Sequence, residues 1–171
     1  YLMREDIAGL PKIDHAITAA LATAWAAAIG GDLVGFYAYD VKPSIFVRPE
    51  PGRTAFARLR SKTAELDYVS RETNHTLAMA GLNARTPKRS LIIIFTDFVD
   101  TTSAELLIEN IRVLTKRNLV IFVTLRDPAL ERMVHSAPEN LDSVASIVAA
   151  GANLRERRLV LEKLARLGAT V

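Results

Sequence analysis

The chain contains no cysteine, which excludes disulfides and thiolate metal sites. Its three histidines, His15, His75 and His135, are scattered along the sequence and argue against a zinc cluster. No apolar run is long enough to span a bilayer and no signal peptide is visible. The segment itself is therefore expected to be cytoplasmic and to make no membrane contact. Neither sign of charge dominates: 22 basic and 19 acidic residues leave a net charge of +3, too little by itself to imply nucleic acid. A P-loop, a glycine-rich dinucleotide fingerprint and a nucleophile elbow are all missing. The pair Gly30-Gly31 closes a helix instead of opening one. No Ser/His/Asp order has local support, so the familiar signatures of enzyme chemistry are not written here.

What is present is core. Half of the 171 residues are hydrophobic, which suits one globular domain and excludes wholesale disorder. The chain is organised around Ser90-Leu91-Ile92-Ile93-Ile94-Phe95-Thr96-Asp97-Phe98-Val99-Asp100. A short apolar run rich in β-branched residues reads as a strand buried on both faces, as in a parallel sheet covered by helices. Ligands of open parallel sheets sit beyond the carboxyl ends of the strands. Asp97 falls there and Asp100 just beyond, either as binding residues or merely as the strand's end and the next helix's start.

The remaining elements follow in order. Residues 1–12 read as loop, broken by Gly9 and Pro11. Ala16 to Ile29 is an alanine-rich helix, apolar nearly all round and therefore expected to be buried. Leu33–Tyr39 is a strand, and Ser44–Val47 an antiparallel edge strand flanked by prolines. Gly52 to Leu66 forms a helix with Phe56, Leu59, Thr63 and Leu66 on one face. A polar loop over 68–74 leads to a helix through Leu77, Met79, Ala80 and Leu82, which Thr73 or Asn74 can cap. Thr101-Thr102-Ser103 can cap another helix, with Glu105 near the capping-box position. Its expected apolar face is Leu106, Leu107, Ile108, Ile111, Val113 and Leu114. Leu119–Leu125 is a second buried strand, ending on Arg126-Asp127-Pro128. Helices are expected from Ala129 to His135 and from Asn140 to Leu167. The second carries Arg155, Glu156, Arg157, Arg158, Glu162, Lys163 and Arg166, which read as a solvated face of alternating charge. Nucleic-acid binding there would need aromatic interleaving, which is missing. Ala169-Thr170-Val171 looks like the start of a further strand. Strands alternating with helices argue an α/β fold with a mostly parallel sheet.

Threonine opening a helix (Thr73) and Thr-Asp ending a buried strand (Thr96-Asp97) resemble two of the three motifs of von Willebrand factor A domains. Those domains bind a divalent ion through an Asp-x-Ser-x-Ser loop, a Thr and an Asp; oxygen-only ligands suit a hard cation such as Mg²⁺. A closer resemblance, over essentially the whole chain, is to the bacterial domain of unknown function 58 family, a variant of that fold. It is carried by Met3-Arg4-Glu5, Gly9-Leu10-Pro11-Lys12-Ile13-Asp14-His15-Ala16, Gly31-Asp32-Leu33-Val34-Gly35, Arg89-Ser90-Leu91, Phe95-Thr96-Asp97-Phe98-Val99-Asp100 and Arg126-Asp127-Pro128. The resemblance implies a three-layer, Rossmann-like von Willebrand factor A-type sandwich. It also implies an adaptor role beside a MoxR-type AAA ATPase; longer members carry membrane segments ahead of this domain, so an anchored full-length protein is compatible with it.

The chain departs from the family at its start. It begins on Tyr1 without a Met, lacks the expected first, central strand, and reads as one domain over 1–171 cut short at both ends. Leu2 stands where a second serine ligand is expected. That leaves Asp97 and Thr73 as candidate metal ligands, too few oxygens for tight Mg²⁺ binding, and the site is expected to be partial or vestigial. Candidate partner-binding residues are Asp97, Phe98, Asp100, Asn74 and Met3. An absent central strand would leave buried backbone edges near Leu33–Tyr39 and Leu91–Thr96 to be covered, because unpaired buried backbone is costly. Rearrangement, strand exchange with a second copy, or residues outside this sequence would cover them. The alternative function is a Mg²⁺-dependent hydrolase or phosphoryl-transfer enzyme using Asp97, Asp100 and Asp127.

Overall fold

Two compact units emerge from the chain in a computed structural model that describes residues 6–66, 73–97, 101–138 and 140–171, with side chains 101–103 excepted. The described part of the first unit falls within Leu10–Pro87; the second holds Asp6–Gly9 and Lys88–Val171. The opening expected as loop holds two-residue strands, β1 (Asp6–Ile7) and β2 (Leu10–Pro11). Between them Ala8 and Gly9 both take positive φ, 54° and 82°, which reverses the chain within two residues.

In the first unit, Pro11 precedes α1 (Lys12–Ile29), where its fixed φ and missing N–H suit a helix start. The helix therefore begins earlier than expected. Its alanines do bring it close to its neighbours, but only along one line: Lys12, Ala16, Ala24 and Ala28 are buried, at the four-residue spacing that keeps side chains on one face. The expectation of a helix buried all round is corrected, since Ile29 is 58% exposed and Trp25 39%. Trp25 packs edge-on against Phe56 with ring centroids 5.0 Å apart, beneath the Arg53 guanidinium. Gly31, at φ 92°, ends the helix turn. β3 (Leu33–Tyr39) and β4 (Pro43–Pro51) pair antiparallel, as the tight Asp40–Lys42 connection implied. The register shifts beside Gly35, where a Cβ would lie 2.9 Å from the Val47 carbonyl oxygen. α2 (Gly52–Thr63) and α3 (His75–Arg85) complete this unit, with Ala55, Leu59, Ala78 and Met79 buried.

The second unit is parallel. β5 (Leu91–Phe95) pairs residue for residue with β6 (Leu119–Val123). Thr170 extends the ladder on the other side of β6: the Phe122 N–H donates to the Thr170 carbonyl at 2.7 Å, and the Thr170 N–H donates to the Val120 carbonyl at 2.8 Å. The strand expected to start at Ala169 is thus present as a single bridge. β6 is buried at Val120 and Phe122, whereas Leu91 of β5 is 55% exposed and only Ile94 of its five residues is fully buried. Among the described residues β6 is its one strand neighbour. α4 (Thr101–Leu114) turns Ala104, Leu107, Ile111 and Leu114 inward. Leu106 and Val113, expected on that face, are more than half exposed, because the three-four spacing from Leu107 excludes them. Thr101, Thr102 and Ser103 form the first helical turn instead of standing before it. α5 (Pro128–His135) and α6 (Leu141–Arg166) follow.

The fold is thus mixed α/β, and the described residues hold one antiparallel and one parallel strand pair besides the opening residues. Among the described residues no helix is long and apolar enough to cross a membrane.

Candidate functional site

Asp97 stands one residue past the last ladder bond of β5, where the Thr96 N–H donates to the Val123 carbonyl at 3.3 Å. Its side chain is 4% exposed, and an ionised carboxylate cannot be left there without compensation. Compensation comes from α6: Arg157 Nη2 lies 3.2 Å from Asp97 Oδ1, and the Arg157 side chain is itself only 11% exposed. The same nitrogen donates to the Leu125 carbonyl, two residues beyond β6. One guanidinium thus ties together the chain just past both parallel strands.

Arg157 was read from sequence as one of a solvated row. The geometry corrects this, and the phase explains it. Ala150, Leu154, Arg157, Leu161 and Leu164 recur at three- and four-residue steps, and this is the face of α6 turned inward. Arg155 and Arg158 on either side are exposed, and Arg158 reaches Glu162 only at 3.9 Å. An arginine in phase with an apolar stripe was the signal in the sequence; reading the charges as one run concealed it.

Asp127 also has an internal task. Its Oδ1 accepts from the N–H groups of Ala129 and Leu130 at 3.0 and 3.1 Å, satisfying two donors at the start of α5 in the manner of an N-cap. It lines a shallow cleft of about 160 Å³ with Asp6, Ala8 and Arg132. Asp97 is not among that cleft's lining residues.

In the first unit, Asn74 rather than Thr73 caps α3: its Oδ1 accepts from the Leu77 N–H at 2.9 Å. Asn74 is exposed and Thr73 partly buried. The next residue, His75, meets the Tyr39 hydroxyl at 3.5 Å, with the two rings edge-on. Desolvation holds the His75 imidazolium down to a pKa of about 4. Burial, and then the neighbouring Tyr37, pushes the Tyr39 phenol well above its ordinary value. Tyr37 donates to the Ala78 carbonyl at 3.0 Å. This aromatic cluster was not singled out from the sequence, because Tyr37, Tyr39 and His75 meet only when β3 and α3 pack.

Thr73 and Asp97, the two candidate metal ligands, belong to different units. Met3, Phe98 and Asp100 lie outside the described residues, as does most of the expected polar loop over 68–74. Among the described residues no three His, Cys, Asp or Glu side chains are grouped to hold an ion. The chemistry around Asp97 does not fit a divalent cation as it stands: the carboxylate already faces a cation and is shut away from water.

No curated protein and no solved structure matches the chain. The family model described as "Protein of unknown function DUF58" matches residues 7–146, more than half of the chain, and the chain belongs to that family.

Proposed function

We propose that the chain is a protein-interaction module of von Willebrand factor A type, keeping a partial or vestigial divalent-cation site, and that its partner is a MoxR-type AAA ATPase. The observation that supports this reading best is the condition of Asp97, buried and ion-paired to Arg157. A carboxylate so held works as scaffold at the end of β5. Contact with a partner then falls to the other candidates, Phe98, Asp100, Asn74 and Met3, of which Asn74 is exposed. The candidate ligands read from the sequence, Asp97 and Thr73, offer only two oxygens, a weak set for so hard an ion as Mg²⁺. The alternative, a Mg²⁺-dependent hydrolase or phosphoryl-transfer enzyme using Asp97, Asp100 and Asp127, has less support. Asp97 is taken up by Arg157 and Asp127 by the start of α5.

Calorimetric titration of the chain into a purified MoxR-type AAA ATPase tests the proposal. Saturable binding is expected, weakened on the order of tenfold or more by Asp100→Lys, as a contact worth more than about 1.4 kcal/mol requires. Absence of binding, together with Mg²⁺-dependent phosphoester turnover abolished by Asp127→Asn, would establish the enzyme instead. Asparagine still caps a helix, so that variant tests chemistry and not folding.

A further inference from the structure

We infer that Arg157 takes the place of a divalent cation at Asp97, so that the ion pair and metal binding at this carboxylate exclude each other. The inference deepens the proposed vestigial site and rests on that reading for the suggestion that a cation belongs there. Its geometric basis is independent of any partner. Asp97 and Arg157 are both nearly closed to solvent and lie 3.2 Å apart. The arginine is also held at the Leu125 carbonyl. It occupies the inward face of α6 between Leu154 and Leu161, where an apolar residue would ordinarily sit. A guanidinium placed there without a partner would be costly, and so would a bare carboxylate. Each therefore holds the other in place.

The consequence for a metal is direct. Mg²⁺ binds oxygen at roughly 2.0–2.1 Å and requires near-octahedral surroundings. With the guanidinium against Oδ1, an entering dication would meet a fixed positive charge at short range and little room for its water ligands. Arg157 must leave before an ion can enter. The converse also holds, since competing occupants of one site are reciprocally linked.

Mn²⁺ titration, followed by electron paramagnetic resonance on the whole chain, tests this in the wild type, Arg157→Met, Arg157→Gln, and Arg157→Met combined with Asp97→Asn. Arg157→Met is expected to bind Mn²⁺ on the order of ten-fold or more tighter than the wild type, and the double variant is expected to lose the gain. Equal affinity in the wild type and Arg157→Met would overturn the proposal. Should Arg157→Met fail to fold, Arg157→Gln decides. It removes the positive charge but keeps a polar, hydrogen-bonding side chain. A gain over the wild type supports exclusion, and wild-type affinity refutes it. In the wild type, saturable Mn²⁺ binding at Asp97 with the Arg157 guanidinium proton signals still protected would also refute it. None of these readouts involves the ATPase, so a failed partner titration leaves the exclusion test intact.

Discussion

At position 157 the sequence places an arginine where the phase of α6 calls for an aliphatic side chain. The opposite charge that makes this tolerable comes from a residue 60 positions earlier, Asp97. Removing one partner of such a pair strands the other, which typically costs about 3–5 kcal/mol, whereas replacing both with apolar groups can be neutral. His75 follows a similar logic with a proton in place of a partner. Its folded pKa, near 4, lies below the ordinary value of 6.5. At neutral pH the ring is uncharged in folded and unfolded chains alike and adds no pH dependence. As pH falls below about 6.5, the unfolded chain takes up the proton first, so the folded state loses stability until about pH 4, where both are protonated. Denaturation at a series of pH values is expected to show this decline in the wild type. His75→Gln should show a shallower slope over that window; identical slopes would mean the ring is solvated.

At the scale of elements, the long helix α6 depends on how it begins. Asn140 accepts from the Ser143 N–H at 2.7 Å, and the Asn140 N–H donates to Ser143 Oγ at 2.9 Å. This reciprocal pair fixes the first turn of the helix that later delivers Arg157. Asn140→Ala is expected to destabilise by about 1 kcal/mol, lowering the melting temperature by roughly 2–4 °C. Asn140→Asp, which can still cap, should stay near the wild type. If both variants melt alike, the cap is dispensable. The strands were legible because β-branched runs have few alternatives. Strand Leu33–Tyr39 was read with its observed bounds, and Leu119–Leu125 came within two residues of β6. Boundaries near prolines were less legible. Pro11 reads as a breaker, yet it opens α1, since proline is excluded from a helix interior but not from its start.

For the molecule as a whole, the two units differ in what fills them. The fully buried apolar residues of the first are mainly alanines, with Leu59, Met79 and Val47 the larger ones. The second buries Leu107, Ile111, Leu114, Val120, Phe122, Val160 and Leu164. Larger buried side chains remove more apolar surface from water, so amides of β6 and the inward turns of α4 should exchange with solvent most slowly. Those of α1 should exchange sooner. Leu164→Ala is expected to cost about 2–5 kcal/mol and to speed exchange throughout β6 and α4. If the α1 amides proved the most protected, the assignment of the main core to the second unit would be wrong.

By itself the sequence determined the α/β class, the strand cores, the two carboxyl ends at Asp97 and Asp127, and family membership. These rest on local periodicity, on β-branched runs and on short motifs, all of which survive without neighbours. Tertiary structure alone decided what those ends touch. Asp97 reads from the sequence as a ligand or as a strand end, and α6 brings Arg157 against it. Asp127 reads as a candidate catalytic carboxylate, and its oxygen accepts from the first amides of α5. Likewise, His75 was an isolated histidine until β3 set Tyr39 beside it. The physical reason is common to all three. A side chain's charge and solvation are set by which groups surround it, and partners such as Asp97 and Arg157 are distant in sequence and meet only through packing.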